Sequence, residues 1–253
     1  MIVGDLSDDA LLQLAAGNDS AKLAQLRARV AAGEPAAYVA GLIVFRGRRY
    51  RCDRRAFITD PETGYLTDVV IALGRRLALK LGRPLRVVEF GVGAGTLALT
   101  VKHAQPDWEL IGLDVDRPAL ELAAENAAEH GLDLRLIESD YLAAWPADQA
   151  PPDLIFGDPP WGGEADLYDS ERDANYYHAM PARSAFPPGG GRCTIHDELI
   201  RQLATREWPS TLLLNYGVLP DALIATSAAP LRHWRLKRPQ PALKILVGRA
   251  TLA

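Results

Sequence analysis

The stretch RVVEFGVGAGTLALT, residues 86–100, decides how the rest of the chain is read. It opens with a short apolar run, the pattern of a strand buried on both faces. It then passes through Gly91-Val92-Gly93-Ala94-Gly95 into residues spaced as a helix. Glycines at such a point open backbone angles barred to other residues and let a ligand come close to the main chain. Working outward, WELIGLDV (108–115) reads as a second strand and PALELAAENAAEHG (118–131) as a helix closed by Gly131. DLRLIES (133–139) and DLIFGD (153–158) read as a third and a fourth strand. Beyond them, residues 197–206 and 220–228 read as helices, and TLLLNYG (211–217), HWRLKR (233–238) and ALKILVGRA (242–250) as strands. Strands alternating with helices predict an α/β fold, a Rossmann-like doubly wound sheet of seven strands.

Upstream the pattern differs. Leu11, Leu12, Leu14, Leu23, Leu26 and Val30 recur at helical spacing over residues 6–32, with Asn18-Asp19-Ser20 as an interruption that caps a second helix. Gly33-Glu34-Pro35 is a break. LIVFRGRRYRC (42–52) reads as a hairpin turning at Arg46-Gly47. FITDPETG (57–64) is a loop, and Thr67–Leu81 a helix capped at Thr67 or Asp68. Residues 1–67 therefore read as a small helical and hairpin part, a lid or recognition element, and 68–253 as the sheet domain. Residues 162–195 hold acids, tyrosines, prolines and Gly189-Gly190-Gly191 with little periodicity. A stretch that long reads as a lid, a binding loop or disorder.

The 253 residues suffice for one sizeable domain, and 48% hydrophobic with 24% charged residues is ordinary for a soluble globular chain. A net charge of -4 argues against a broad electrostatic grip on nucleic acid. Two cysteines, Cys52 and Cys193, offer neither a zinc spacing nor a disulfide framework. The start MIVGDLSDDA lacks the basic end and apolar core of a signal peptide. No stretch approaches the ~20 apolar residues of a membrane helix. These features predict a cytoplasmic protein without a membrane partner.

The chemistry gathers at the ends of the predicted strands. A dinucleotide fingerprint has G-x-G-x-x-G, with a pyrophosphate at the helix start. Here the spacing is G-x-G-x-G, and Glu89 stands just before Gly91, Gly93 and Gly95. A carboxylate there repels phosphate and attracts an amine. Asp114, closing the second strand, is placed to accept both ribose hydroxyls. A nucleoside that carries positive charge and no phosphate fits this set, and S-adenosyl-L-methionine (AdoMet) is such a cofactor. The competing reading is a tight strand–helix turn without a ligand. Asp140, after the third strand, can accept the adenine amino group, with Tyr141 or Leu142 flanking the ring. Asp158 ends the fourth strand and so faces the same crevice. Pro159 and Pro160 follow it, so the carbonyls of Asp158 and Pro159 are withheld from a ladder and are free to hold the N–H groups of an acceptor. Trp161 supplies a flat wall for a planar group or a cation. In the long segment, Tyr176-Tyr177-His178 either completes the pocket, with Tyr176 facing a sulfonium, or is surface. His196 reads as a cap or packing residue.

Asp158-Pro159-Pro160-Trp161 resembles the [D/N]-P-P-[Y/W] motif of class I AdoMet-dependent methyltransferases that act on planar amino or amide nitrogen. GEPAAYVAG (33–41), FRGRRYRCDRRAFITDPET (45–63), RVVEFGVGAGTLALT and PARSAFPPGGG (181–191) resemble, from about residue 33 onward, the glutamine-N5 methyltransferases that modify peptide-chain release factors. The resemblance implies that Glu89, Gly91, Gly93 and Gly95 line the methionine part of AdoMet. It places Asp114 at the ribose, Asp140 and Tyr141 at the adenine, and Asp158, Pro159 and Trp161 before the acceptor. It sets the 59–64 loop beside the cofactor and makes a release factor a candidate partner.

The chain departs from the family pattern at three places. Asp158 stands where the family has Asn, Trp161 where it has Tyr, and Thr59-Asp60-Pro61-Glu62-Thr63-Gly64 where it has P-R-P-E-T-E. An ionised carboxylate only accepts hydrogen bonds, whereas an amide donates and accepts. Asp158 therefore fits an amine or ammonium better than a neutral carboxamide, on a small molecule or a protein. The reading is an N-methyltransferase, with aiming of the acceptor lone pair and exclusion of water as its main tasks. Asp158 can also take a proton from an ammonium nucleophile. The alternatives are an AdoMet-consuming enzyme that closes the cofactor's own amino acid chain into a small ring with release of methylthioadenosine, an adenine-N6 methyltransferase, and an inactive AdoMet-binding module.

Overall fold

The computed structural model describes residues 6–168, 172–241 and 243–250. The first five residues of MIVGDLSDDA, residues 169–171 of the long segment and residue 242 of the last predicted strand lie outside the described residues. The chain runs α1 (Asp8–Ala16), α2 (Ser20–Ala31), α3 (Ala36–Ala40), β1 (Leu42–Phe45), β2 (Arg48–Arg51), α4 (Gly64–Leu81), β3 (Arg86–Phe90), α5 (Thr96–Ala104), β4 (Glu109–Asp114), α6 (Arg117–His130), β5 (Arg135–Glu138) and β6 (Leu154–Gly157). It continues through α7 (Glu164–Leu167), α8 (Ala174–His178), α9 (Ala182–Ala185), α10 (Thr194–Thr205), β7 (Thr211–Asn215), α11 (Asp221–Ser227), β8 (His233–Gln240) and β9 (Leu243–Arg249).

Seven strands form one sheet in the order β5-β4-β3-β6-β7-β9-β8. The pairs from β5 to β7 are parallel, and β9 runs antiparallel to both β7 and β8. The chain builds outward from β3 through β4 to β5, then crosses back to place β6 on the other side of β3. That reversal between β3 and β6 is the point at which open α/β sheets leave a crevice outside the carboxyl ends of their strands.

Strand alternation assigns each residue to a face. Val87, Leu110, Leu154, Phe156 and Leu213 point into one core, with Leu97, Ala98 and Val101 of α5. Val88, Phe90, Ile111, Leu113, Ile155, Leu212 and Leu214 point into the other, with Leu199, Ile200 and Leu203 of α10. By the same parity Glu89 projects to the Val87 face, under α5.

The hairpin turns at Arg46 and Gly47, both at positive φ (50° and 75°), the two-residue connection whose twist matches paired strands. It has no core of its own. Ile43, Phe45, Tyr50, Cys52 and Ile58 join the sheet's first core, whereas Leu12, Ala16, Leu26 and Val39 of the first helices make a small separate cluster. Helix α4 starts at Gly64, three residues before the predicted cap. A 3-10 turn over Pro61–Thr63, fixed by the proline ring and by Thr63 Oγ1 donating to the Asp60 carbonyl, feeds straight into it. Thr67 lies inside the helix and donates to the Gly64 carbonyl. Asp19 caps α2 by accepting from Lys22 N–H, as the interruption predicts.

Asn126 of α6 ties the hairpin to the glycine loop. Its Nδ2 donates to the carbonyls of Arg51 (3.1 Å) and Ala94 (2.9 Å), and its Oδ1 accepts from Arg51 N–H (2.7 Å). The side chain is fully buried. Asn126→Ala strands these partners and is expected to lower stability by about 3 kcal/mol, read from urea unfolding. A change under about 0.5 kcal/mol would show that the hairpin holds its place without it.

Candidate active site

The crevice between β3 and β6 holds a cavity of about 560 Å3. Gly91, Gly93, Asp114, Asp140 and Tyr141 line one half, and Asp158, Pro159, Pro160 and Trp161 the other. The two halves meet where Gly91 approaches Pro159, since a Cβ on Gly91 would stand 4.0 Å from the Pro159 Cα.

The glycine loop is fixed from two sides. Gly91 (φ 68°) and Gly93 (φ 52°) adopt left-handed backbone that only glycine takes without strain. Asp114 Oδ2 accepts from Gly93 N–H at 2.8 Å, and its Oδ1 from Asp116 N–H at 3.0 Å. Burial raises the Asp114 pKa, and those two N–H bonds oppose the rise.

Glu89 does not line the cavity. It is buried beneath the loop, and its Oε2 accepts from Ala98 N–H, the third residue of α5, at 2.6 Å. Gly95, the N-cap, has no side chain with which to do this, so Glu89 caps the helix from the neighbouring strand. Burial pushes its pKa well above the ordinary carboxylate range; the Ala98 N–H opposes this, while Asp158 and Asp114 add to it. Gly95 (φ 79°) also lies away from the wall. A Cβ there would come within 3.2 Å of the Ala123 side chain, so this glycine lets α5 and α6 approach.

At the third strand, Asp140 is exposed on the cavity wall. Tyr141 stacks on Phe90 (5.5 Å between centroids, 19° between planes) and holds a left-handed φ of 51°. A non-glycine residue rarely keeps that angle unless its surroundings impose it. Leu142, the other residue expected beside the adenine, is fully buried in the second core and does not reach the cavity.

At the fourth strand, Asp158 Oδ1 accepts from Asn215 Nδ2 at 2.7 Å. Among the described residues, no hydrogen bond reaches the carbonyls of Asp158 or Pro159. Burial raises the Asp158 pKa to about 7; the Asn215 bond lowers it and the nearby charge of Asp60 raises it. Trp161 lies flat over Gly217, where any Cβ would collide with the indole.

The remaining wall comes from outside the strand ends. Phe57 and Asp60 of the 57–64 loop, and Leu167, Tyr177 and Phe186 of the long segment, also line the cavity, and Asp60 stands near enough to Asp158 for its charge to be felt there. Their rings form a cluster: Tyr177 stands 6.4 Å from Phe57, 5.6 Å from Tyr168 and 5.6 Å from Phe186. Tyr177, rather than Tyr176, lines the cavity. One residue of helical rotation turns Tyr176 toward the Arg172 guanidinium, 5.8 Å from its ring. His178 is exposed. Arg172 pairs with Asp60 at 2.6 Å, so the acid in TDPETG finds its cation in the long segment. His196 is fully buried at the start of α10, and its Nε2 donates to the Asn215 carbonyl at 2.7 Å. Burial lowers its pKa to about 4, which keeps it a neutral packing and hydrogen-bonding residue.

The residues present fit AdoMet. A helix N-terminus is a ready anion site, but Glu89 already occupies that of α5, which disfavours a pyrophosphate. Asp114, Asp140 and Asp158 on the wall suit a ligand of positive charge. The sheet order, the glycine loop and the D-P-P-W turn are those of the class I AdoMet-dependent methyltransferase fold, and the site suits AdoMet as a cofactor.

Residues 73–171 match the Methyltransferase small domain family. The release factor glutamine methyltransferase of Nitratidesulfovibrio vulgaris is 30% identical over 215 residues, covering 84% of this chain and 70% of that protein. That of Streptococcus pneumoniae is 31% identical over 163 residues, covering 64% of this chain and 54% of that protein. The chain belongs to the release factor glutamine methyltransferase family. It spans about half the length of the Streptococcus pneumoniae and Neisseria gonorrhoeae relatives it matches. Among solved structures, a ribosomal protein L11 methylase from Lactobacillus delbrueckii superposes with a TM-score of 0.53 at 18% identity, over 79% of this chain and 85% of that one. A T. thermophilus 16S rRNA methyltransferase in complex with AdoMet and guanosine gives 0.55 at 16% identity, over 83% and 50%. At these identities the likeness is one of fold.

The raised Asp158 pKa has a definite sign in stability. A carboxyl whose folded pKa lies above its unfolded value stabilises the fold fully below the unfolded value, and that contribution is lost as pH rises through the folded one. The unfolded value is near 3.8 and the folded one about 7. Wild type is therefore expected to lose stability relative to Asp158→Asn between about pH 4 and about pH 7, in paired urea titrations. A difference that stays constant across that window would contradict the desolvation of Asp158.

Proposed function

We propose that this chain is an AdoMet-dependent N-methyltransferase acting on the side-chain amide of a peptide-bound glutamine, with a peptide-chain release factor as the first acceptor to try. The observation that carries this reading is the meeting of the Gly91 loop and the Asp158-Pro159-Pro160-Trp161 turn in one cavity. The family relatives, named as release factor glutamine methyltransferases, support the choice of acceptor.

Bound AdoMet supplies an electrophilic methyl carbon. The chain's own residues bind, aim and dry the site. Asp114 receives the ribose hydroxyls, and Asp140 and Tyr141 receive the adenine. Asp158 Oδ2 and the free carbonyls of Asp158 and Pro159 accept the acceptor's N–H groups and so turn its nitrogen lone pair toward the cofactor. Trp161 bounds the plane of the amide. Phe57, Tyr177 and Phe186 close the acceptor half against water, which strengthens each of these polar contacts. Asp158, with a pKa near neutrality, takes the proton that the nitrogen gives up. Asp60 is paired with Arg172, which offsets part of its charge beside the acceptor half.

Purified protein, AdoMet and release factor are expected to give S-adenosylhomocysteine and one added methyl on a glutamine, located by tandem mass spectrometry. Methylthioadenosine and a new small amino acid from AdoMet alone would overturn methyl transfer. Asp114→Ala is expected to weaken AdoMet binding about 100-fold by calorimetry, through loss of charge-assisted bonds to the ribose and of the Gly93 anchor. Binding within twofold of wild type would remove Asp114 from the cofactor site.

A further inference from the structure

We propose that Asn215, at the carboxyl end of β7, is the positioning residue for Asp158. Through that bond it fixes what the ionised carboxylate shows to the substrate in the acceptor half of the cavity: an oxygen that accepts hydrogen bonds. The inference rests on the N-methyl-transfer reading above and deepens it, because such an atom calls for an acceptor group that still carries a hydrogen.

Asn215 is 3% exposed, and every polar group of its side chain is engaged. Its Oδ1 accepts from Gly217 N–H at 2.8 Å. A backbone N–H can only donate, so this contact settles which end of the amide is oxygen. The Nδ2 end then faces Asp158 Oδ1 at 2.7 Å. The backbone of the residue is held as well, since its carbonyl accepts from His196 Nε2 at 2.7 Å and its strand pairs with Ile245 of β9. Nothing in this arrangement lets the amide flip without losing the Gly217 bond.

Asp158 Oδ1 is thereby committed to accepting from Asn215. Its Oδ2 has no protein partner among the described residues, and Asp158 lies on the cavity wall. With the proton off, Oδ2 is an acceptor beside the free carbonyls of Asp158 and Pro159. Three acceptors thus belong to one turn of the cavity wall, which calls for a donor from the substrate. A carboxamide or amine nitrogen meets that demand, and an ester or ether oxygen does not. Gly217, which fixes Asn215, also packs under the Trp161 indole. One turn after β7 therefore sets both the polar and the aromatic wall of the acceptor half.

The geometry makes an unusual demand on substitution. In Asp158→Asn, Asn215 Nδ2 still needs an acceptor, so the introduced amide turns its oxygen toward Asn215 and its NH2 into the cavity. A donor then meets the substrate's N–H. In Asn215→Asp, one new oxygen keeps the Gly217 N–H and the other meets Asp158 Oδ1 across about 2.7 Å, where two carboxylates cannot both ionise. The reciprocal double variant Asp158→Asn/Asn215→Asp removes both conflicts. The introduced amide donates to the introduced carboxylate and presents its own oxygen to the cavity, as wild type does.

The test is a reciprocal-swap cycle on the full chain, with kcat and KM for a glutamine-bearing release factor, AdoMet binding by calorimetry, and urea unfolding. Each single variant is expected to lose about 100-fold or more in kcat, with AdoMet affinity within about threefold of wild type, because a misplaced polar group at the reacting atom costs rate rather than cofactor binding. The double variant is expected to recover to within about tenfold of wild type. A role confined to stability predicts no such recovery of kcat at unchanged AdoMet affinity. Asp158→Asn alone at wild-type rate, or a double variant no better than the worse single one, would overturn the inference while leaving N-methyl transfer intact. If wild type itself methylates no glutamine, the functional reading fails instead. The pair is then decided by unfolding midpoints: recovery of the double variant above both singles supports it, and additive loss overturns it.

Discussion

A buried carboxylate under a glycine loop sets the character of this site. Glu89 points to the α5 face of the sheet because β3 alternates, and there it takes the N–H of Ala98 that Gly95 cannot cap. This has two consequences. The helix end is no longer an anion site, so the crevice above it does not favour a phosphate. The loop above is then free to bring the Gly91 and Gly93 backbone against a ligand, held by Asp114 on its far side. The switch in strand order between β3 and β6 sets the Asp158 turn against this loop.

Polar order in the acceptor half is imposed from the next strand. Asp158 is oriented by Asn215, Asn215 by Gly217, and the carbonyl of Asn215 by His196. Two of these bonds are buried and the Asn215–Asp158 bond is part-buried at the cavity wall. The half that must adapt to a substrate is built differently, from Phe57, Tyr177 and Phe186 on two segments that meet over the cavity and are joined by the Asp60–Arg172 pair. A rigid polar floor under an aromatic cover is consistent with aiming one nitrogen while admitting a side chain from a larger partner.

Much of the fold was legible because its signals are local. Apolar runs followed by glycines or acids located the strands, and Arg46-Gly47 and Asn18-Asp19-Ser20 marked a hairpin and a helix break. The strand ends also carried Gly91, Gly93, Asp114, Asp140 and Asp158 to one cavity, since parallel strands share one carboxyl edge. Glu89 shows where this reasoning stops short: its charge was visible, but its face depended on strand parity, which turned it inward to a helix. Gly95 serves helix packing for a similar reason. Tyr176 and Tyr177 differ by one step on a short helix, too small a difference to settle without the tertiary contacts of Phe57 and Phe186. Asn215 had a usable signal, a polar residue following the apolar run Leu212–Leu214 on the strand beside that of Asp158. The Asp60–Arg172 pair had none, because its partners come from segments without periodicity.

The most direct measurement is a crystal structure of the protein with S-adenosylhomocysteine and a glutamine-containing release-factor peptide. The account predicts the glutamine side chain between Trp161 and the Pro159 carbonyl, its amide nitrogen within hydrogen-bond distance of Asp158 Oδ2, with Asn215 still bonded to Oδ1. A peptide bound with its glutamine outside the cavity, or an Asp158 turned away from Asn215 toward another partner, would contradict it.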